Sequence, residues 1–203
     1  NIDKTYLLYL LKHYKESIME CNKVLKIEKK NTEVLNTLGL CLFNLKNFDE
    51  ANTVLISALG LDSKNIKILN SLGRLHHEQR NSKEAKSYFK KALEINAEVF
   101  ETLNNIAGFY LEEAEYLKAI NYYRKAKNLS PDNPILLNNL AKSFMFIGEI
   151  NKAKKYCKRA ISLNPINDDF KKTLSLILFK QYDFENAWEY FDGRLGLSDF
   201  IDK

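Results

Sequence analysis

The chain has 203 residues, of which 45% are hydrophobic and 28% are charged, and its formal net charge is +5. No apolar run approaches the roughly 18 residues that a membrane-spanning helix needs, and we expect no secretory signal peptide at the N-terminus. The cysteines Cys21, Cys41 and Cys157 are odd in number, and we expect them to be reduced and to pack as small apolar residues. These features favour a cytoplasmic protein without a membrane span.

Small residues recur along the chain with a period of 34 residues. The first column of small residues contains Gly39, Gly73, Ala107 and Ala141. The second column contains Ala51, Ala85, Ala119, Ala153 and Ala187, and the third contains Ala58, Ala92, Ala126 and Ala160. A fixed period of this length predicts stacked structural units rather than one globular core.

Each period has the pattern of two helices joined by a turn, as residues 66–99 illustrate. Leu69 and Leu72 mark one face of a first helix. Asn81 is typical of a turn, and the apolar face of a second helix begins at Ala85. A large side chain would push two crossing helices apart, so we expect the small residues to lie where the helices of each pair cross.

The recurring Leu-Gly, Tyr, Ala, Phe, Ala and Pro residues resemble the pattern of tetratricopeptide repeat proteins. The closing proline is present only as Pro131 and Pro165. The resemblance implies an all-α fold in which tandem 34-residue helix-turn-helix repeats stack in a right-handed superhelical solenoid. It predicts one array over residues 1–203, which divides into a partial repeat, four full repeats and a degenerate terminal repeat: 1–31, 32–65, 66–99, 100–133, 134–167 and 168–203. An ordinary helical bundle would not require the constant spacing.

Polar residues recur in the first helix of each repeat where packing does not require them. One column contains Asn36, Asn70, Asn104 and Asn138, and the next contains Thr37, Ser71, Asn105 and Asn139. Asn costs about 0.5 kcal/mol relative to Ala in a helix, which favours selection for a function. The alternative is an inherited, solvent-facing Asn that was copied when the repeats were duplicated. One helical turn further on, Arg74 and Lys142 are able to attract carboxylates.

The resemblance implies that the first helices line the concave groove of the superhelix. An Asn amide both donates and accepts hydrogen bonds, so it can bind a peptide group of an extended ligand. Neighbouring helices lie about 8–10 Å apart and an extended peptide advances ~3.3 Å per residue, so one Asn per repeat would meet about every third ligand residue. The predicted peptide-binding groove contains Asn36, Asn70, Arg74, Asn104, Asn105, Asn138, Asn139 and Lys142. This ladder resembles the one in O-GlcNAc transferases, although here it shifts between two adjacent columns.

The sequence contains no pattern that predicts catalysis. It lacks a glycine-rich phosphate loop, a His-Glu-x-x-His motif and paired cysteines at metal spacing. The adjacent His76 and His77 would point about 100° apart on a helix. We therefore expect a non-enzymatic chain without a metal or a cofactor. The basic residues within 152–159 are interpreted as the solvated face of a helix, and we expect no nucleic-acid partner.

The last repeat departs from the pattern, with Ser175 in place of Gly or Ala and Arg194 in place of the closing Ala. Solenoids normally finish with a polar capping helix, whereas apolar residues such as Leu176 and Trp188 stand near this end. We therefore expect another surface to cover it. The segment 186–194 resembles the ending of bacterial tetratricopeptide regions that precede a glycosyltransferase domain.

Three functions remain open on these patterns. The first is a scaffold that binds a protein or peptide ligand in its groove. The second is the substrate-recruiting domain of a larger glycosyltransferase whose catalytic domain lies outside this chain. The third is a homo-oligomeric scaffold that self-associates through its C-terminal repeat.

Overall fold

The computed structural model describes residues 2–195, and all regular secondary structure in that range is α-helical. The first compact unit, Asn1–Ala97, contains α1 (Ile2–Leu10), α2 (Tyr14–Ile27), α3 (Thr32–Asn44), α4 (Phe48–Leu61), α5 (Ile66–Glu78) and α6 (Ser82–Ile95). The second, Glu98–Lys203, contains α7 (Phe100–Glu112), α8 (Tyr116–Leu129), α9 (Pro134–Phe146), α10 (Ile150–Leu163), α11 (Asp168–Lys180) and α12 (Phe184–Leu195). From α3 onwards, each first helix begins 34 residues after the last, which confirms the predicted all-α tandem-repeat fold. None of the described helices combines the length and apolar character that crossing a membrane requires.

The turn inside each helix pair has the same backbone geometry. One residue in each turn adopts a φ between 59° and 81°: Lys12, Lys46, Arg80, Ala114, Gly148 and Tyr182. In the second pair, the Lys46 amide donates to the Phe43 carbonyl at 3.0 Å and the Asn47 amide donates to the Leu42 carbonyl at 2.9 Å. This is the Schellman pattern of a helix C-terminus. Only one of these six residues is Gly, so five turns hold a side chain in a conformation that favours Gly.

An asparagine caps the first helix of most repeats. The side-chain Oδ1 accepts a hydrogen bond from a backbone amide two or three residues further on at Asn31, Asn65, Asn133 and Asn167. Val99 takes the equivalent position before α7 and provides no such bond. A side-chain cap therefore stabilises the start of α3, α5, α9 and α11 and is missing from α7.

The helices of each pair cross closely at the first column of small residues. A Cβ at Gly39 would lie 2.6 Å from the Leu55 side chain, and a Cβ at Gly73 would lie 2.4 Å from the Phe89 ring. Ala107, at the same position of the next repeat, is fully buried. The prediction that small residues allow the helices to approach each other is confirmed.

All three cysteines are buried, and none forms a disulfide. Burial raises the pKa of the Cys21 thiol to about 11 and that of the Cys157 thiol to about 12. The Cys41 thiol donates to the Ser17 hydroxyl oxygen at 3.2 Å. Their predicted place in helix packing is confirmed.

The last helix pair carries exposed apolar side chains. Trp188 on α12 is 49% exposed and Leu176 on α11 is 43% exposed. The ring of Phe179 meets that of Trp188 edge to face, with centroids 5.3 Å apart. The Arg194 side chain and residues 196–203 lie outside the described part of the chain. The expectation that this end is covered therefore stays a prediction.

Candidate functional site

In the first unit, a hydrogen bond joins the polar columns of neighbouring first helices. The Ser71 hydroxyl on α5 lies 2.8 Å from the Asn36 Oδ1 on α3, and the Lys67 carbonyl at 3.0 Å is its other acceptor. Ser71 is 6% exposed, whereas Asn36 is half-buried. Asn36 therefore contributes its Oδ1 to helix packing and keeps its amide Nδ2 as a hydrogen-bond donor.

Arg74 lies on the same face of α5, because it follows Ser71 by three residues. Its guanidinium carbon is 5.3 Å from the centroid of the Phe43 ring, which is a cation–π distance. The side chain is half-buried and forms no ion pair with the described residues. The ring therefore orients a positive charge that remains available to an acidic group.

Asn70 and Asn138 are placed differently from the prediction, because protein encloses both side chains. Asn70 is 1% exposed and Asn138 is 3% exposed. The Cys157 Sγ contacts the Asn138 Oδ1 at 3.9 Å. These two asparagines are part of the helix packing.

In the second unit, the half-buried asparagines of the predicted set lie on α7 and α9. They are Asn104, Asn105 and Asn139. The Asn104 Oδ1 and the Asn105 Nδ2 are buried and form no hydrogen bond with the described residues. An amide atom in that state costs about 1–3 kcal/mol. The second unit therefore holds two buried amide atoms that have no hydrogen-bond partner among the described residues.

The Tyr123 hydroxyl lies close to this face. A Cβ at Gly108 on α7 would be 3.6 Å from the Tyr123 oxygen, so Gly108 leaves space above the hydroxyl. Burial raises the pKa of Tyr123, and its hydroxyl is buried without a hydrogen-bond partner among the described residues. The sequence prediction did not include Tyr123. The sequence does mark Tyr123 as unusual, because it is the only hydroxyl-bearing residue in the column that also contains Leu55 and Phe89.

Lys142 follows Asn139 by three residues and lies on the same face of α9. The Lys142 side chain is half-buried and forms no ion pair with the described residues. Burial raises the pKa of Cys157, and the positive charge of Lys142 opposes that rise. The structure thus brings Asn139 together with Lys142, as it brings Asn36 together with Arg74.

The chemistry of these groups suits binding. Amides form hydrogen bonds with peptide groups, and the two cations attract carboxylates. Within residues 2–195, no cluster of three potential metal ligands is present. His76 stacks on Tyr88 with ring centroids 5.4 Å apart, and burial lowers its pKa. That histidine is therefore a packing residue.

Helix pairs of constant length, repeated in tandem with polar groups along their first helices, define the class of α-helical repeat proteins. The sequence model of the Tetratricopeptide repeat family matches residues 32–65, 66–99, 100–133 and 135–167. The chain belongs to the tetratricopeptide repeat family. Proteins of this family generally mediate protein–protein interactions.

Several solved structures are similar in fold. PilW, a widely conserved type IV pilus biogenesis factor, is 20% identical with a TM-score of 0.85, and the match covers 99% of this chain and 92% of that chain. A chain of the APC/C hetero-tetramer is 13% identical with a TM-score of 0.89, and the match covers 98% of this chain and 39% of that chain. PilF of Pseudomonas aeruginosa is 23% identical with a TM-score of 0.74, over 81% of this chain and 75% of that chain. At these identities the likeness establishes the fold alone. No curated protein is significantly similar in sequence.

The resemblance of residues 186–194 to regions that precede a glycosyltransferase domain stays a prediction. Ala187 is buried in α12 and Trp188 is half-exposed there. The side chains from residue 192 onwards lie outside the described part of the chain.

Proposed function

We propose that the chain is an interaction scaffold that binds an extended segment of a partner protein on the polar face of the first helices in each unit. The observation that carries the proposal is that the polar face of each unit holds both a half-buried asparagine and a half-buried cation. Asn36 is hydrogen-bonded to Ser71, which precedes Arg74 by three residues, and Asn139 precedes Lys142 by the same spacing. An amide binds peptide groups of any sequence, whereas a cation selects acidic side chains. The proposed ligand is therefore an extended segment that contains Asp or Glu.

The proposed contact set is narrower than the one predicted from the sequence. It keeps the half-buried side chains and leaves out Asn70 and Asn138, whose amides are enclosed. The residues retained are Asn36, Arg74, Asn104, Asn105, Asn139 and Lys142. Each hydrogen bond contributes only about 0.5–1.5 kcal/mol net. Binding is therefore expected to be weak at each contact and additive along the ligand.

A peptide titration tests the proposal. A panel of synthetic peptides with and without acidic residues is screened against the chain by fluorescence polarisation, and the strongest binder is titrated against Asn104→Ala/Asn139→Ala. We expect a loss of affinity on the order of tenfold, which corresponds to about 1.4 kcal/mol. The matched control is Asn121→Ala/Asn128→Ala, because both residues are exposed on α8 of the same unit.

Two results would contradict the proposal. One is unchanged affinity in Asn104→Ala/Asn139→Ala while its circular dichroism melting curve matches that of the parent chain. The other is unchanged preference for acidic peptides after Lys142→Glu, because the reversed charge should repel them.

A second candidate function is self-association through the C-terminal repeat, which the exposure of Leu176 and Trp188 favours. Light scattering across a dilution series measures it directly. Leu176→Lys should shift the mass toward that of a monomer, since a buried charge opposes an apolar interface. Leu129→Lys is the control, because Leu129 is 45% exposed on α8. A chain that is monomeric at every concentration would exclude this candidate.

A further inference from the structure

In several repeats, a ring from the first helix stacks on a ring from the second helix. Three such pairs have centroids 5.4, 5.6 and 5.5 Å apart: His76–Tyr88, Tyr110–Tyr122 and Phe144–Tyr156. In the repeat 32–65, the same two positions hold Leu42 and Val54. Two aliphatic side chains fill less volume than two rings. The space between the two helices of the repeat 32–65 is therefore less completely filled than in the three repeats with stacked rings.

A cleft of about 390 Å³ lies at this point in the first unit. Its apolar lining comes from Ile18 on α2, Leu38 and Leu42 on α3, and Val54 on α4. Leu38 is 8% exposed and Leu42 is 6% exposed, so both contribute to the floor. The volume is at the lower end of the roughly 300–1,000 Å³ of ligand sites. The cleft therefore suits one large side chain.

The rim of the cleft is acidic where the equivalent rim in the repeats 100–133 and 134–167 is basic. In the repeat 100–133, the Lys118 ammonium lies 5.4 Å from the centroid of the Tyr110 ring. In the repeat 134–167, the Lys152 ammonium lies 5.7 Å from the centroid of the Phe144 ring. Glu50 holds the position of these two lysines in the repeat 32–65.

Two further residues, Asn22 and Asp49, complete the polar rim of the cleft. Asn22 holds the position of Arg124, whose guanidinium lies 5.7 Å from the centroid of the Phe144 ring. Asp49 precedes Glu50 on α4, and both line the cleft as exposed residues. Neither carboxylate forms a hydrogen bond or an ion pair with a described residue. The cleft thus lacks the ring and the cations of its counterparts and offers two carboxylates instead.

We propose that this cleft binds an aromatic side chain of a partner polypeptide that carries Lys or Arg next to that side chain. The ring would occupy the space that Tyr122 and Tyr156 fill in their own repeats, and the neighbouring base would pair with Glu50 and Asp49. The site lies between α2, α3 and α4 and is separate from the polar face in the proposed function. It would bind a basic aromatic segment, whereas the polar face would bind an acidic one.

Methyl NMR on the whole chain tests this site. The probe is the peptide acetyl-Gly-Lys-Phe-Lys-Gly-amide, compared with the same peptide carrying Ala for Phe and with one carrying Glu for both Lys. Saturable shifts are expected at the methyl groups of Ile18, Leu42 and Val54 with the first peptide alone. Affinity for the first peptide should fall on the order of tenfold in Glu50→Lys. Glu84→Lys is the matched control, because Glu84 holds the same position in a repeat whose cleft is filled.

A second variant fills the cleft with two rings, as the three repeats with stacked rings do at the same positions. Leu42→Phe/Val54→Tyr should abolish binding, while Ile56→Tyr adds a ring on the same helix outside the cleft and should leave binding unchanged. The proposal is overturned by shifts that do not depend on Phe, or by equal affinities in Glu50→Lys and Glu84→Lys. It is also overturned if the methyl signals move on dilution of the chain alone, because a second copy would then occupy the cleft.

Discussion

The two units share one repeat geometry but differ in the side chains that it holds. In the first unit, Ser71 is hydrogen-bonded to Asn36, and the repeat 32–65 leaves an acidic-rimmed cleft. In the second unit, Asn104 and Asn105 retain unused amide atoms, and stacked rings fill the equivalent clefts. In both units the same turns, helix caps and small residues define the backbone geometry of the repeats. The chemical character of each surface is therefore set by a few side-chain columns and not by changes in the fold.

The largest expected effect comes from closing the tightest helix crossing of the first unit. The Cβ of Gly73→Ala would lie 2.4 Å from the Phe89 ring, which is buried, so the ring or the helix would have to shift. We expect the free energy of unfolding to fall by about 1–3 kcal/mol, as measured by urea denaturation. Gly60→Ala is the control, because nothing lies within 4 Å of its Cβ, and its stability should rise. Similar losses in both variants would contradict the close crossing.

Val99→Asn should give the repeat 100–133 the asparagine cap that α3, α5, α9 and α11 have at their start. It would supply the side-chain cap that α7 lacks and that Asn133 provides to α9. The expected gain in the free energy of unfolding is about 0.5–2 kcal/mol. Asn133→Val is the reverse exchange and should lose a similar amount. If thermal melting moves in neither variant, the caps do not control the stability of the helix starts.

The positive-φ turns allow a paired exchange within the second unit. Ala114 has a φ of 59° and Gly148 has a φ of 81° at the same position of adjacent repeats. Ala114→Gly should raise the free energy of unfolding by about 1 kcal/mol and Gly148→Ala should lower it by a similar amount, because a side chain is strained in this region. Opposite shifts in the melting temperature would support the strain, and shifts of the same sign would exclude it.

The smallest effect at neutral pH concerns the buried thiol of the second unit. Burial raises the pKa of Cys157 from its ordinary value of 9.0 to about 12. Above pH 9 the unfolded chain loses this proton first, so rising pH favours unfolding until the folded thiol also ionises near pH 12. Denaturation at a series of pH values should therefore show a steeper loss of stability in the parent chain than in Cys157→Ala. Parallel curves would mean that the thiol is not desolvated.

The repeat period and the helix crossings could be predicted from the sequence because both depend on residue size at fixed spacing. A Cβ at Gly39 or Gly73 has no room, so the small residues of this column indicate directly where the two helices of a repeat cross. The burial of Asn70 and Asn138 could not be predicted in this way. Asparagine in a helix interior gives no local signal of how closely the next helix packs against it. The two enclosed amides therefore follow the same sequence pattern as the half-buried Asn36 and Asn104.

The asparagine caps were readable from the sequence, since Asn31 and Asn65 precede their helices at the same spacing. The prediction concentrated on a column inside the helices and left these residues out. The cleft in the repeat 32–65 was only partly readable. Leu42 and Val54 are visibly smaller than the rings of their columns, but an open cleft also requires that no neighbouring side chain moves in to fill it.

The constant turn geometry has a consequence for how the chain folds. Each helix pair closes through local backbone bonds, such as that from the Asn47 amide to the Leu42 carbonyl. Contacts between elements next to each other in sequence carry little loop-closure entropy, and such folds form quickly. We therefore expect each pair to become ordered soon after it leaves the ribosome, before the later repeats have been synthesised. A whole repeat could be gained or lost without changing the order of these steps.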